Sequence, residues 1–513
     1  EAITMLIGNS SKANLFRPNS SEPTLTKERK TSTMRIVWLL LGSLAVQSCS
    51  SKPADLKSEP SQYRLFVLTD LRGELEPCGC SLEPLGGLAR LTTYLRTRDQ
   101  KGVTPLLIAH GDLVSPGKVS KGSLPQIKEA GRFLQNQLMN LGLVISGTGE
   151  ADDELEGIRS IEGMPWLDPG HVKTIQGVQF LRGKTNQAID PKRPAILLFD
   201  GSLEDAQKQA LQFKNQGVDL VIISKPHDEP AITELAPELF ALIGGERGQQ
   251  LLDIDMTWHG GRLIRLEGAG ERQVALDAME TRISGLVKQR DRAKVRQKSP
   301  ALIAARTAQV ERAKAQRSRL LQTPLPQAPA QVSSLSGQRV PLDSNITEDA
   351  SMNQAIQQHH QAISQLNKKL EKTRECADNP NPNTAQYIGN LACQGCHPQA
   401  YDLWKKTPHA KAWSTLEQKG RTYDYTCIGC HSAGFDEPGG FCRVSEAGDR
   451  INVGCESCHG PGSLHVAQAG RGPIKRKVSA DDCTKCHHPP HTNTFIYEDR
   501  LKRVLGPGHM AKP

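Results

Sequence analysis

The chain has 513 residues and a formal net charge of +9, with 37% hydrophobic but only 4% aromatic residues. This length predicts two or three domains, and the low aromatic content is lean for conventional hydrophobic cores. The basic residues are not interleaved with aromatic side chains, so we expect no nucleic-acid partner.

The first predicted feature is an export signal within residues 1–49, which also include an upstream extension. An arginine precedes the apolar run of residues 36–46, which is too short to span a bilayer as a helix. The run ends in Val-Gln-Ser-Cys, which resembles a bacterial lipoprotein box with Cys49 as the lipidated residue. The alternative is an ordinary secretory signal with an incidental cysteine. We expect an exported, periplasm-facing lipoprotein, and Ser50, at the start of the linker 50–60, favours the outer membrane.

Residues 61–270 alternate apolar runs with polar helical stretches. Buried strands that end in polar residues are predicted at 64–70, 106–109, 195–199 and 220–223, with helices at 126–140 and 203–216. This is an α/β pattern, and chemistry is expected where the strands end.

Several residues at these strand ends form a family pattern. Asp70 stands at an Asp-x-His position, Gly111-Asp112 at Gly-Asp, Gly147-Thr148-Gly149-Glu150 at Gly-Asn-His-Glu, His227 at a lone histidine, and Gly244-Gly245-Glu246 at Gly-Gly-His-x-His. The pattern resembles the exported calcineurin-like metallophosphoesterases of the 5′-nucleotidase type. The resemblance implies the α/β sandwich of that family for residues 61–270.

The metal-binding side chains of the family pattern are largely replaced here. Arg72, Thr148 and Gly149 stand in place of His, Asn and His, and Glu246 and Gly248 replace the last histidine pair. A two-metal site needs imidazoles and carboxylates around the ions, and the fixed charge of Arg72 repels divalent cations. We therefore expect a degenerate domain without phosphoesterase activity, whose remaining candidate ligands are Asp70, Asp112, His227 and the oxygen donor Glu246.

Four of the thirteen cysteines belong neither to the leader nor to the C-terminal motifs described below. Cys78 and Cys80 follow the first strand and are one residue apart. They are either a metal-binding, redox or relay pair, or two structural residues. The sequence does not decide the pairing of Cys376 and Cys442.

Residues 271–386 are predicted to be a long helical connector. Leu276, Met279, Ile283 and Leu286 form one amphipathic stripe, and further helical runs lie at 300–321 and 356–370, separated by a proline-rich break. We expect a helical hairpin that spaces two domains and has a solvated basic surface; the alternative is a coiled coil that binds a partner. His359 and His360 on the last helix are expected to be exposed.

The last quarter of the chain contains four copies of the unit Cys-x-x-Cys-His. Two cysteines at this spacing reach the two vinyl groups of one haem and form thioethers, and the adjacent histidine lies under the iron. The alternative, a tetrahedral zinc site, gives no reason for a histidine after every second cysteine. We predict four haem c groups, held by Cys393, Cys396 and His397; Cys427, Cys430 and His431; Cys455, Cys458 and His459; and Cys483, Cys486 and His487.

Five further histidines beyond residue 390 are available as distal ligands of the four irons. They are His409, His465, His488, His491 and His509, and Met510 is the one methionine in this region. Mainly bis-histidine or five-coordinate iron is therefore expected, with low reduction potentials.

The flanks of the first three units carry a second resemblance. Trp404 to Ala412 follows the first unit, Gly434-Phe435 follows the second, and Val453-Gly454 and Gly460-Pro461-Gly462 enclose the third. These segments resemble the cytochrome c-554-like tetrahaem family, which implies a mostly α multihaem cytochrome c domain over residues 387–513.

The resemblance also implies distal ligands. His409 should bind the third iron and His465 the first, while the second has an open site. The family's distal histidine upstream of the fourth unit is missing, so we expect His491 to serve the fourth iron and His509 to cap the second or fourth. His488, beside His487, is expected to be an exposed neighbour.

These features together predict an exported multihaem c-type cytochrome lipoprotein that exchanges electrons with a redox protein partner. The basic charge would favour an acidic partner. The alternative is an oxidoreductase that acts on a small nitrogen or sulfur compound at an open haem.

Overall fold

The computed structural model describes residues 60–77, 84–98, 101–117, 121–155, 163–225, 231–374, 376, 384–488, 492 and 495–506. All of these residues belong to one compact unit. Among them, no helix has the length and apolar character needed to cross a membrane. The predictions for Cys49, Cys78, Cys80, His227, His491 and His509 fall outside the described residues.

Two six-stranded sheets form the frame of the first half of the chain. In the first sheet the strand order is β11-β12-β10-β1-β2-β3, and in the second it is β4-β5-β6-β7-β9-β8. The strands are β1 Ser61–Thr69, β2 Thr104–Gly111, β3 Leu143–Thr148, β4 Val172–Ile175, β5 Val178–Arg182, β6 Ala195–Phe199, β7 Leu220–Ile223, β8 Ile232–Ala236, β9 Leu239–Ile243, β10 Gln250–Trp258, β11 Leu263–Arg265 and β12 Ser333–Pro341.

The two sheets pack face to face around a continuous apolar core. Leu65 and Ile108 from the first sheet and Phe180, Ile196 and Ile222 from the second are fully buried within it. The central strands are rich in Val, Ile and Leu because both of their faces are covered. The predicted α/β sandwich and its four predicted strands are confirmed.

Helices cover the outer faces of both sheets. The helix α1 (Leu88–Thr97) and the helix α2 (Leu124–Asn140) pack on the first sheet. The short helix α3 (Glu150–Asp153) follows β3, and the helix α4 (Leu203–Asn215) covers the second sheet. The predicted helices 126–140 and 203–216 correspond to α2 and α4.

The predicted connector differs from the structure in one respect. Its helices α5 (Ala269–Val295) and α6 (Pro300–Gln322) form the expected hairpin, but the chain then returns to the first sheet as β12. Leu335 of β12 pairs with Met256 of β10 and is buried in the sandwich core. The prediction of a purely helical spacer is therefore corrected, because the hairpin is an excursion between two strands of one sheet.

The helix α7 (Ala350–Leu370) joins the α/β region to the C-terminal region. Its Met352 and Ile356 pack in the same apolar cluster as α1 and α2. Eight short helices follow: α8 Leu391–Gln394, α9 Pro398–Trp404, α10 Ala412–Gln418, α11 Tyr425–His431, α12 Cys455–His459, α13 Ser463–Ala467, α14 Ala480–Thr484 and α15 Tyr497–Leu501.

The C-terminal region has only a small apolar core of its own. Trp413, Tyr425, Ile428 and Phe441 are its main members. A disulfide between Cys376 and Cys442, with Cα atoms 5.7 Å apart, ties the end of the connector to this region. The mostly helical character predicted for it is confirmed.

Candidate functional site

One cavity of about 1650 Å³ lies at the centre of the C-terminal region. It is larger than the roughly 300–1,000 Å³ that a single small ligand usually occupies. Both cysteines and the histidine of all four Cys-x-x-Cys-His units line it. The structure thus brings together twelve side chains that are spread over 95 residues, from Cys393 to His487.

Short helical turns present the four units to the cavity. Residues three and four apart lie on the same face of a helix, so the two cysteines and the histidine of a unit project to one side. The second and third units lie within α11 and α12. In the first unit the backbone N–H of His397 donates to the carbonyl oxygen of Cys393 at 2.9 Å, and in the fourth unit that of His487 donates to the carbonyl oxygen of Cys483 at 2.9 Å.

Two pairs of histidine rings face each other across the cavity. The ring centroids of His397 and His465 are 6.4 Å apart with an interplanar angle of 18°, and those of His409 and His487 are 6.2 Å apart. A metal–imidazole bond of about 2.1 Å on each side, plus about 1 Å from each nitrogen to its ring centre, separates two axial rings by roughly 6 Å. Each pair therefore has the spacing of two ligands on one metal ion.

The facing pairs contain two of the predicted distal ligands. His465 faces the histidine of the first unit, whose iron it is predicted to bind. His409 faces His487 of the fourth unit and not the third unit, because the chain folds the segment around His409 against the C-terminal end. His409 thus lies opposite the unit for which the sequence predicts His491, which falls outside the described residues.

The outward nitrogen of several histidines is held by the backbone. Nδ1 of His431 lies 2.7 Å from the carbonyl oxygen of Ala412. Nδ1 of His459 lies 2.7 Å from that of Lys475, and Nδ1 of His465 lies 3.2 Å from that of Gly472. Such a contact fixes the proton on Nδ1 and leaves Nε2 as the free acceptor. Burial and the nearby His487 lower the pKa of His409, which keeps it in the neutral form that binds metals.

The remaining two units have no such histidine opposite them in the described part of the chain. No histidine ring stacks against His431 or His459 among the described residues. The zinc alternative also lacks support there, since no three His, Cys, Asp or Glu side chains of the described residues gather as a metal-binding group.

The α/β region and the helix α7 form one wall of the cavity. His360 Nε2 lies 2.9 Å from a carboxylate oxygen of Glu76, which also accepts from Arg421 at 3.3 Å. The hydrogen bond from His360 is the main cause that lowers the pKa of Glu76. His359 stacks on Phe133 with ring centroids 4.2 Å apart. Both histidines are 7% exposed, so the prediction that they are exposed is wrong.

A buried carboxylate, Asp424, connects this wall to the second unit. It is the N-cap of α11, where it accepts from the backbone N–H of Thr426 at 3.1 Å. It also accepts from Arg421 at 2.7 Å and from Gln126 of α2 at 2.5 Å. Burial would raise the pKa of Asp424, but the Arg421 charge and these hydrogen bonds lower it overall.

The strand ends of the α/β region do come together, as predicted, and their described residues form no metal-binding group. Oδ1 of Asp70 accepts from the backbone N–H of Asp112 at 2.9 Å, and burial raises the pKa of Asp70 to about 7. A Cβ atom on Gly149 would lie 2.6 Å from the Asp112 nitrogen, so the family's histidine has no room there. His110, fully buried at the same edge, has no counterpart in the sequence pattern.

Comparison with known proteins places one part of the chain. Residues 392–460 match the family described as cytochrome c554 and c-prime. Cytochrome c-554 of Nitrosomonas europaea is 39% identical over 93 residues, which cover 15% of this chain and 40% of that protein. The chain thus spans less than half of the length of this relative.

Solved structures overlap with the chain at low similarity. The sulfate thiohydrolase SoxB of Thermus thermophilus is 16% identical, with 39% of this chain and 55% of that chain covered and a TM-score of 0.28. The NAD nucleotidase of Haemophilus influenzae is 13% identical, with 52% and 62% covered and a TM-score of 0.28. Scores this low carry no argument about activity or ligands.

The matched segment 392–460 contains the first three Cys-x-x-Cys-His units, and the fourth lies beyond it. Over this segment the chain is similar to cytochrome c554.

Proposed function

We propose that the chain is an exported multihaem c-type cytochrome lipoprotein that transfers electrons through four covalently bound haems. The observation that carries this proposal is the spacing of His397 from His465 and of His409 from His487, which suits two axial ligands on one iron. The shared cavity and the similarity to cytochrome c554 support it. Haem bound there would supply one-electron chemistry, and the protein would supply ligands and burial.

Each unit would hold its haem through its two cysteines and its histidine. His465 would complete the coordination of the first iron and His409 that of the fourth. Backbone carbonyls at Nδ1 orient His431 and His459 toward the cavity. The sequence predicts His491 for the fourth iron and His509 for the second or fourth; with His409 at the fourth iron, both become candidates for the second and third irons.

The remaining parts of the proposal concern organisation and location. We take residues 61–270 together with the returning strand β12 as a degenerate metallophosphoesterase-like domain, the rest of 271–386 as the connector and 387–513 as the tetrahaem domain. Lipidation at Cys49 after removal of the signal peptide would place the protein at the outer membrane, facing the periplasm, where a redox protein would be its partner.

A second candidate function is catalysis on a small nitrogen or sulfur compound at an open haem. It is favoured by the absence of a facing histidine ring at His431 within the described residues. The polar wall of Glu76, His360 and Arg421 lines the same cavity as His431. An open iron beside such a wall would have hydrogen-bond donors for a bound ligand.

Mass spectrometry of the purified protein tests the first proposal. We expect the mass of the polypeptide plus four haems, and one haem fewer in the double variant Cys393→Ala/Cys396→Ala. The double variant Cys376→Ser/Cys442→Ser removes two cysteines outside the units and should keep all four. A colourless protein, or equal loss in both variants, would refute haem attachment.

Electron paramagnetic resonance of the resting protein separates the two functions. Low-spin signals from every iron support an electron carrier. A high-spin iron that binds nitric oxide supports the catalytic alternative.

A further inference from the structure

The outer part of the α5–α6 hairpin, residues 282–319, carries the positive excess of the chain. Residues 282–319 contain twelve Lys and Arg but only two Asp and Glu, a net charge of +10. The complete chain has a net charge of +9, so the rest of the molecule is at −1. The basic character is therefore a local property of this hairpin.

These charges point into solvent and are mostly not balanced within the molecule. Nine of the twelve basic side chains are exposed. Three of the twelve form ion pairs, namely Arg290 with Asp291, Lys314 with Glu311 and Arg317 with Glu280. The helices bury only small or aliphatic residues, namely Leu276, Ile283, Ala293, Val310 and Ala313. The basic residues are thus not needed to hold the hairpin together.

The tip of the hairpin combines cations with exposed apolar side chains. Val295, at the end of α5, is 83% exposed, and Leu302, in the first turn of α6, is 39% exposed. Arg296 and Lys298 lie between them, Lys294 directly precedes Val295, and all three are exposed. Basic residues next to exposed aliphatic ones are typical of segments that lie in the headgroup layer of a membrane.

The position of the hairpin argues against the other polyanionic partners. No residue of α5 or α6 lines the haem-unit cavity, so an acidic redox protein docked here would be away from the Cys-x-x-Cys-His units. Residues 269–322 contain no aromatic side chain on which nucleic-acid bases could stack. We propose that residues 282–319 form a docking surface for anionic phospholipid, with the tip in contact with the headgroups.

The attraction expected from this surface is large enough to measure. Each Lys or Arg near an anionic membrane contributes roughly 1 kcal/mol at physiological salt. Neutralising four cations at the tip should therefore weaken binding to anionic vesicles by about a hundredfold or more. The inference does not depend on haem chemistry or on the lipid anchor.

Vesicle co-sedimentation of the haem-loaded full chain tests this surface. The background variant is Cys49→Ser, so that no acyl chain contributes. We expect binding to vesicles of phosphatidylcholine with phosphatidylglycerol, loss of that binding at high salt, and none to phosphatidylcholine alone. The tip variant is Arg292→Gln/Lys294→Gln/Arg296→Gln/Lys298→Gln, which should bind at least about a hundredfold more weakly.

A matched variant controls for net charge. Lys173→Gln/Lys184→Gln/Lys192→Gln/Lys208→Gln removes four exposed cations from the α/β region and should bind nearly as well as the parent. Unchanged far-ultraviolet circular dichroism would confirm that both variants are folded. Equal binding to neutral and anionic vesicles, equal loss in both variants, or capture of nucleic acid or acidic protein without any vesicle binding would overturn the proposal.

Discussion

Replacement of Asp424 by alanine should destabilise the junction between the α/β region and the second Cys-x-x-Cys-His unit. The side chain is buried, caps α11 and accepts hydrogen bonds from Arg421, Gln126 and Thr426. Its removal leaves the Arg421 guanidinium with only Glu76 as an acidic partner, at 3.3 Å. The Gln126 amide loses its acceptor at the same time.

The expected cost can be divided into two parts. Removal of one partner of a buried ion pair costs about 3–5 kcal/mol, and loss of an N-cap side chain costs about 1 kcal/mol. Because Arg421 keeps Glu76, we expect a total of about 3–5 kcal/mol for Asp424→Ala. Asp424→Asn keeps the capping oxygen and should differ from the alanine variant by about the 1 kcal/mol of the cap.

The assay is denaturant unfolding of the haem-loaded protein, followed by circular dichroism and by haem absorbance. Asp349 provides the matched control, since it caps α7 through the Met352 backbone N–H but pairs with Arg96, which is 60% exposed. Asp349→Ala should cost about 1 kcal/mol. Comparable losses in the two alanine variants, or a loss below 1 kcal/mol for Asp424→Ala, would refute the reasoning.

The pH dependence gives a second check on the same residue. The pKa of Asp424 in the folded protein lies below its ordinary value of 3.8. Its contribution is therefore complete above that value and disappears as the pH falls through the folded pKa. The parent and Asp424→Ala should converge in stability in strong acid, and a gap that stays constant with pH would contradict the assigned pairing.

Three further predictions concern other parts of the molecule. Asp70→Asn should raise the free energy of unfolding by up to about 4 kcal/mol above pH 7 but not below pH 4. The reason is that folding raises the pKa of Asp70 from 3.8 to about 7, so that the charged carboxylate destabilises the folded state at high pH. Equal effects at about pH 4 and about pH 8 in urea unfolding would contradict this. His465→Ala should add one high-spin iron to the electron paramagnetic resonance spectrum, and His488→Ala should add none; an unchanged spectrum in the first variant would contradict the proposed ligand. Gly149→Ala should cost about 1–3 kcal/mol in the same urea assay, because the new Cβ overlaps the Asp112 backbone, and a neutral effect would contradict the tight contact.

Local patterns account for most of what could be predicted from the sequence. The apolar runs of β1, β2, β6 and β7 and the spacing of the haem units are each contained in a few neighbouring residues. The sandwich, the helical hairpin and the position of the candidate site could therefore be predicted without coordinates.

The errors concern contacts between distant segments. β12 returns to the first sheet after a hairpin of more than fifty residues, and its own sequence does not indicate that it pairs with β10. The sequence predicts that His360 lies on a solvated helix, but it is buried and contacts Glu76, which is 284 positions away in the chain. That His409 lies opposite His487 could not be predicted for the same reason, since the family pattern gives the order of residues along the chain and the fold determines which rings come close.

The helix α7 has a consequence for how the molecule can move. Its first turns are embedded among α1 and α2, while Ser364 donates to the Gly420 carbonyl at 2.7 Å and Asn367 to that of Tyr423 at 2.7 Å. A helix of 21 residues is about 30 Å long and resists bending. Because both ends are fixed, the two halves cannot rotate about a hinge at this point. The α/β region and the C-terminal region should therefore tumble together in solution, and the last 127 residues produced alone would lack the wall of their cavity that the α/β region and α7 provide.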